Sequence, residues 1–227
     1  MTTKNSIVAE EFVDNDGDNR WIDIHNRFLQ ECKEKDPDVI FLGDCIVEGL
    51  QFTDIWNSFF GPLHCLNFGI RNDKVENVLW RVENGTLDNV NPKVVVLHVG
   101  TLNTQHSVDQ IVEGIDLIIS RIRNKLPNTY IVFPSLLPRG HTKNKLREKN
   151  EQINAQLAEK YSGKNRIQIV RVEKGLLQSD GTLSHHDMFD YLNLTNAGAK
   201  KVFEPISDLL NQILNEGEAE KDLTPSE

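Results

Sequence analysis

The chain is short of cysteine, of basic surplus and of long apolar runs, and each shortage removes a class of protein. Cys32, Cys45 and Cys65 are an odd number with no CxxC spacing, which argues against a zinc site or a disulfide framework. No run approaches membrane-spanning length and the N-terminus has no apolar signal core. No membrane span is expected, and a reducing, cytoplasmic compartment is the simplest reading. A nucleic-acid groove needs clustered basic residues, and none stands out, so no nucleic-acid partner is expected. The net charge is −9, but it is unevenly placed. Residues 1–18 carry five acids against Lys4, and residues 216–227 carry five against Lys221. What remains is nearly balanced, 24 acidic against 23 basic residues. The acidity therefore belongs to two ends, expected to be disordered tails over 1–18 and 216–227, around one domain at 19–215.

What is present is an alternation of apolar runs and amphipathic segments. Trp21, Ile24, Phe28 and Leu29 lie at helical spacing, and Pro37 marks the end of that segment. Strands are expected at Val39–Leu42, Cys65–Phe68, Val94–Val99, Tyr130–Phe133 and Ile167–Val172. Helices are expected near 48–59, 74–84, 107–125, 144–161 and 195–214, the last kinked at Pro205. Five short apolar runs separated by helices describe an α/β fold with a parallel sheet covered on both faces. Ligands bind outside the carboxyl ends of the strands in such sheets. Four segments should therefore meet at one edge: Gly43-Asp44-Cys45, Asn67–Asp73, His98–Thr104 and His185–Thr195.

The first of these, in "VIFLGDCIVEG", is a strand, a Gly-Asp break and a helix start, the kind of turn that presents a serine nucleophile in α/β hydrolases. Here the residue at the turn is Cys45. Together "FLGDC", "LNFGI", "HVGT", "LLPRG" and "HDMFDYLNLT" resemble the catalytic α subunits of intracellular type Ib platelet-activating factor acetylhydrolase, within the SGNH (GDSL) hydrolases. The resemblance covers most of residues 20–214. It implies a flavodoxin-like three-layer α/β/α sandwich with a five-stranded parallel sheet, a homodimer, and an acetyl-ester hydrolase site that needs no cofactor or metal. It also implies one partner, a WD-repeat subunit of the lissencephaly type.

The departures from the family pattern are concentrated in the site. Cys45 stands where the family has its nucleophilic serine. Asn72 stands where a glycine N–H faces the oxyanion, and Leu102 where an asparagine donates to it. Asp190 keeps the place of the orienting acid, but three residues on, Asn193 replaces the histidine base. A hydroxyl or thiol attacks an ester only if its proton is taken, and an amide cannot take it. A thiol needs less help, yet freeing the acyl group still requires an activated water. The backbone N–H groups at Cys45 and Asn72 survive substitution, whereas Leu102 removes a donor outright. Losing one such donor costs ~10²–10³ in rate, and losing a general base costs ~10²–10⁴.

Substitute bases are weakly placed. His186 reads as a structural hydrogen-bonding residue, His185 as an exposed loop residue and His98 as a satisfied core residue. Asp190 should hold its loop or cap the following helix, and Cys45 reads as a small buried residue with Arg71 the nearest cation. The basic stretch Leu137–Asn150 reads as the solvated start of a helix. The expectation is thus a pseudoenzyme: a folded hydrolase domain kept as a dimeric binding or scaffold subunit. Its alternatives are a weak thiol-dependent acetyl-ester hydrolase using Cys45, or a pocket that binds an acyl or anionic ligand without turnover.

Overall fold

Every position of Val39–Gly43 is buried, because this strand lies inside the sheet and both of its faces are covered. The computed structural model of the protein describes residues 7–173 and 175–222, with side chains as far as residue 216. Its order is α1 (Arg20–Glu34), β1 (Val39–Gly43), α2 (Cys45–Leu50), β2 (Cys65–Gly69), α3 (Val75–Glu83), β3 (Val94–His98), α4 (Val108–Lys125), β4 (Tyr130–Pro134), α5 (Lys145–Lys160), β5 (Ile167–Val170) and α6 (Asn196–Asp222). The five strands are all parallel in the order β2-β1-β3-β4-β5, the flavodoxin-like arrangement that the resemblance implies.

Successive strand residues point to opposite faces, so each strand feeds two cores. Ile40, Leu42, Val95, Leu97 and Ile131 pack under α1, α3, α4 and α5 with Phe28, Val78, Ile115 and Ile153. Val39, Phe41, Val94, Val96 and Val132 pack under α2 and α6 with Ile46, Phe203, Ile206 and Leu210. Helix starts are fixed by side chains. Ser107 and Gln110 form a reciprocal box at α4, and Asn144 accepts from Leu146 N and Arg147 N at α5.

Two glycines let α2 sit directly on the sheet. A Cβ at Gly43 would lie 2.1 Å from the His98 carbonyl oxygen, and one at Gly69 would lie 2.1 Å from Glu48 N. A side chain at Gly69 would lift α2 from the sheet, and one at Gly43 would collide with the end of β3 and with Val47 of α2.

Several expectations are corrected here. The N-terminal segment is not loose over its described part. Ile7 is buried in the core, Glu10 N donates to Glu76 O at 3.1 Å, and Phe12 stacks on Trp21 at 6.1 Å. At the other end, residues 216–222 continue the backbone of α6, while 1–6 and 223–227 lie outside the described residues. The helix expected over 48–59 is two pieces, α2 ending at Leu50 and a wide turn at Trp56–Phe60. The start of α5 is not simply solvated. Arg147 is 3% exposed and donates to the carbonyls of Gly140, His141 and Gly181. Helix α6 contains Pro205 and continues to Asp222, beyond the limit of 214 expected for it. Among the described residues, no helix is long and apolar enough to cross a membrane.

Candidate functional site

Three strand ends and one long irregular segment build the site. At the end of β1, Asp44 is fully buried and accepts from Ile46 N at 3.0 Å, capping α2 and fixing Cys45 as its first residue. Cys45 is 5% exposed. Burial pushes its thiol far above the ordinary cysteine range, the Asp44 carboxylate adds to this, and Arg71 opposes it. Cys45 is therefore a protonated thiol at neutral pH. Cys32 and Cys65 are pushed up in the same way, to about 11 and about 12.

The end of β2 is tied back to β1 by Ile70 N donating to Gly43 O at 3.0 Å. Arg71 follows, with Nε 3.0 Å from Glu48 Oε2. Asn72 is exposed and lines a neighbouring cavity of about 320 Å³ with Phe12, Trp21 and Glu48. At the end of β3, Leu102 is half-buried against the core under α2 and α6. The next residue, Asn103, is 1% exposed, accepts from Val75 N at 3.0 Å and donates to Glu76 Oε2 at 2.7 Å. It pins the start of α3, a role that its place beside Leu102 did not reveal.

In the segment before α6, the Asp190 carboxylate accepts from Leu192 N at 3.0 Å, Asn193 N at 2.6 Å and the Asn193 amide at 2.6 Å. Partial burial alone would raise this carboxyl; the Asn193 and Leu192 donors outweigh it and hold the group below the usual carboxylate range. Asp190 thus holds the loop, as expected, but it does not cap α6. That is done by Thr195, whose Oγ1 accepts from Gly198 N at 3.1 Å. Between them Tyr191 adopts a left-handed φ of 59°, strained for a bulky side chain, and its carbonyl accepts from Gly140 N at 2.8 Å.

These elements enclose a cavity of about 270 Å³ lined by Cys45, Ile46, Phe52, Arg71, Phe189 and Asn193, among others. Of the expected site positions it brings together Cys45 and Asn193. Asn72, Leu102 and Asp190 do not line it, and Asp190 borders a separate, more open hollow with Gly140 and Tyr191. The two exposed aromatics Phe52 and Phe189 were not anticipated as part of the site; only the folded chain brings them to the same cavity.

The histidines are elsewhere. His98 is 1% exposed, with Nδ1 3.6 Å from Asp44 Oδ1, and neither ring nitrogen has a hydrogen-bond partner from the protein. It is a core residue, as expected, but not a satisfied one. His185 and His186 are exposed with rings 4.0 Å apart. The described hydrogen bonds of His186 run through its backbone, including Thr195 Oγ1 donating to its carbonyl at 2.5 Å, so the ring role expected for it is not what is found. None of the seven histidines lines the cavity beside Cys45. Among the described residues, no group of three or more His, Cys, Asp or Glu side chains gathers to hold a metal.

A parallel five-stranded sheet with its candidate site at a β1 strand–turn–helix and a loop before the last helix defines the three-layer GDSL/SGNH type of hydrolase domain. The sequence matches the GDSL-like Lipase/Acylhydrolase family over residues 41–201. It is 64% identical over 221 residues to the platelet-activating factor acetylhydrolase IB subunit beta homolog of Drosophila melanogaster, covering 97% of this chain and 98% of that protein. It is 43% identical over 208 residues to the human platelet-activating factor acetylhydrolase IB subunit alpha2, covering 92% and 91%. Among solved structures, a GDSL-like lipase from Bacteroides thetaiotaomicron superposes with a TM-score of 0.67 at 18% identity, covering 85% of this chain and 98% of that one. The chain belongs to the GDSL-like lipase/acylhydrolase family and, within it, to the platelet-activating factor acetylhydrolase IB subunits.

Proposed function

We propose that this chain is a catalytically silent acetylhydrolase IB subunit, a dimeric binding or scaffold protein of the cytoplasm rather than an esterase. The observation that carries this reading is the absence of any histidine from the lining of the cavity that holds Cys45. Three residues beyond Asp190 lies Asn193, and its amide hydrogen is already committed to the Asp190 carboxylate at 2.6 Å. Acylation of Cys45 would need a thiolate, which burial and Asp44 both oppose. Deacylation would need a base to activate water, and no residue lining the cavity can serve as one at neutral pH. The same raised thiol weighs against the thiol-dependent alternative. The family membership supports a WD-repeat subunit of the lissencephaly type as a candidate partner.

A chromogenic acetate-ester assay with and without thiol alkylation separates the readings. The native chain is expected to stay at the buffer rate, and turnover lost on alkylating Cys45 would overturn the proposal. The combined change Cys45→Ser, Leu102→Asn and Asn193→His supplies nucleophile and base at the two expected positions that line the cavity and returns the family's amide at the third. It is expected to raise hydrolysis by ~10²-fold or more, the range of a restored base or donor. A correctly folded triple variant that stays silent would show that the site has been assigned to the wrong residues.

A further inference from the structure

We propose that Asn84 is a self-modification site: the backbone nitrogen of Gly85 displaces its side-chain amide, leaving aspartate and isoaspartate at the end of α3. Asn84 is the one asparagine of the chain that is followed by glycine. It is exposed and caps the C-terminus of α3, and Gly85 follows with a φ of 103°. The turn itself requires that glycine, because a positive φ is strained for any other residue. Thr86 N donates across the turn to Arg81 O at 3.1 Å, the outer bond of a glycine-terminated helix end. The inner bond of that motif, from Gly85 N back to the helix, is not made, and among the described residues this N–H has no hydrogen-bond partner. One bond restrains the side chain, Asn84 Nδ2 donating to Trp80 O at 2.8 Å. It lies exposed in the last turn of α3, where helices fray. The other well-ordered turn of similar chemistry, Asp180-Gly181, is closed to this reaction. Asp180 Oδ1 accepts from Thr182 N at 2.9 Å, and Gly181 N donates to Gln178 O at 2.9 Å.

The Gly85 nitrogen gives its proton to hydroxide and bonds to Asn84 Cγ, closing a five-membered imide. The Cγ–Nδ2 bond breaks, and ammonia leaves with a proton taken from water. A second water opens the ring on either side, giving aspartate or, with the main chain rerouted through Cγ, isoaspartate. Either product sets a carboxylate at the negative end of the α3 dipole and can no longer donate to Trp80 O. Isoaspartate also adds a backbone atom to a turn that lies against Leu29. The same turn holds Thr86, whose carbonyl accepts from Cys32 Sγ at 3.1 Å and whose Oγ1 lies 3.4 Å from His25 Nδ1. The charge and stability of the chain thus come to depend on its age, whatever the pocket beside Cys45 does.

The test is to incubate the full, folded chain at neutral and at mildly alkaline pH, and to follow it by tryptic peptide mass and by ion exchange. The peptide spanning 82–93 is expected to show the mass gain of an amide-to-acid change, with both aspartate and isoaspartate at position 84. Conversion should be faster at the higher pH, because hydroxide removes the Gly85 proton. Asn89, in the same peptide but followed by valine, should stay intact. Asn84→Gln, which would have to close a six-membered ring, should block both the mass gain and the new acidic species. Asn84→Asp supplies one product in pure form, and should melt roughly 2–4 °C below the native chain, the size of one net hydrogen bond in a domain of this length. The proposal is overturned if the folded chain stays unconverted while the same chain unfolded in urea converts, or if the acidic species persists in Asn84→Gln. An Asn84→Asp chain that melts with the native one would overturn the effect on stability.

Discussion

Two buried charge clusters lie beneath the carboxyl ends of the strands, and they are built to opposite standards. On the α1/α3 side, Arg81 is fully buried and donates from Nε to Asp73 Oδ2 at 2.8 Å, from Nη1 to Phe68 O at 3.0 Å and from Nη2 to Gly43 O at 3.2 Å. Trp21 Nε1 donates to the other Asp73 oxygen at 2.6 Å. By the turn into α2, Asp44 and His98 are equally buried, yet Asp44 Oδ2 and both imidazole nitrogens lack a partner from the protein. The first cluster ties α3, which carries Arg81, to the end of β1, the end of β2 and the N-terminal helix through filled hydrogen bonds. The second has one side-chain capping bond, to α2, and a 3.6 Å approach between Asp44 and His98 at the end of β3. A buried charge can be a rigid strut when every polar atom is met, and is a weak point when it is not.

The sharpest way to break this comparison is at Arg81. Arg81→Ala leaves Asp73 buried without its cation and frees the Gly43 and Phe68 carbonyls. Unfolding in urea should show a loss of about 3–5 kcal/mol. Replacing both partners, Arg81→Met with Asp73→Leu, should cost less than the single change because no charge is left stranded. A single-variant loss below about 1 kcal/mol would place Arg81 among ordinary hydrogen bonds and end its claim to hold the site's framework.

The same cluster carries two titrating groups of opposite sign. Burial raises the Asp73 carboxyl to about 6, against the pull of Arg81 and Trp21. Burial first, and the Arg81 charge with it, lower His25 to about 4. Folded Asp73 holds its proton longer than the unfolded chain does. Its contribution is therefore complete below about pH 4 and is lost as pH rises through about 6. Folded His25 refuses a proton that the unfolded chain accepts near 6.5, so its contribution is complete above that pH and is lost as pH falls through about 4. Between pH 4 and 6 the two oppose each other, and the native profile should be shallow there. His25→Phe keeps a ring beside Trp21 and Trp80. With only Asp73 left, stability should fall steadily from pH 4 to 6. A variant whose urea midpoints track the native protein across that range would refute the opposition.

Much of the architecture could be read from local sequence because it is locally encoded. The strands of uninterrupted Val, Ile, Leu and Phe ended within two residues of their expected limits, and the Gly43-Asp44-Cys45 turn lay where its pattern placed it. What failed depended on distant partners. Leu50, Phe52, Ile55 and Phe59 carry apolar side chains through the stretch that was read as one helix, but the chain breaks after Leu50 and leaves Phe52 in water. Ile7 lies in an acidic end and its burial follows from α3 and α4 lying opposite, while Phe12 is half-buried against Trp21 of α1. Arg147 resembles any surface arginine until three loop carbonyls converge on it. In the site, Cys45 and Asn193 meet as expected. Asn72 falls beyond Arg71 in the next cavity and Leu102 turns to the core, because a side chain's direction at a strand end is set by the loop around it.

The smallest expected effect tests the weaker cluster. The His98 ring lies nearly parallel to Phe133, 15° off with centroids 6.3 Å apart, in a core that excludes solvent from all but 1% of the residue. His98→Phe keeps that shape and removes two nitrogens that the protein does not satisfy. Deleting unmet polar atoms in favour of an apolar ring of similar shape is neutral or stabilising, so urea unfolding should show a gain of between zero and about 1 kcal/mol. Asp44→Asn offers the matching control, since it retains an oxygen able to cap Ile46 N while removing the charge. A His98→Phe loss of more than about 1 kcal/mol would mean that the imidazole makes a favourable bond to Asp44 across the 3.6 Å gap. The two clusters would then be alike in being satisfied, and the site's stiffness would come from both faces of the sheet.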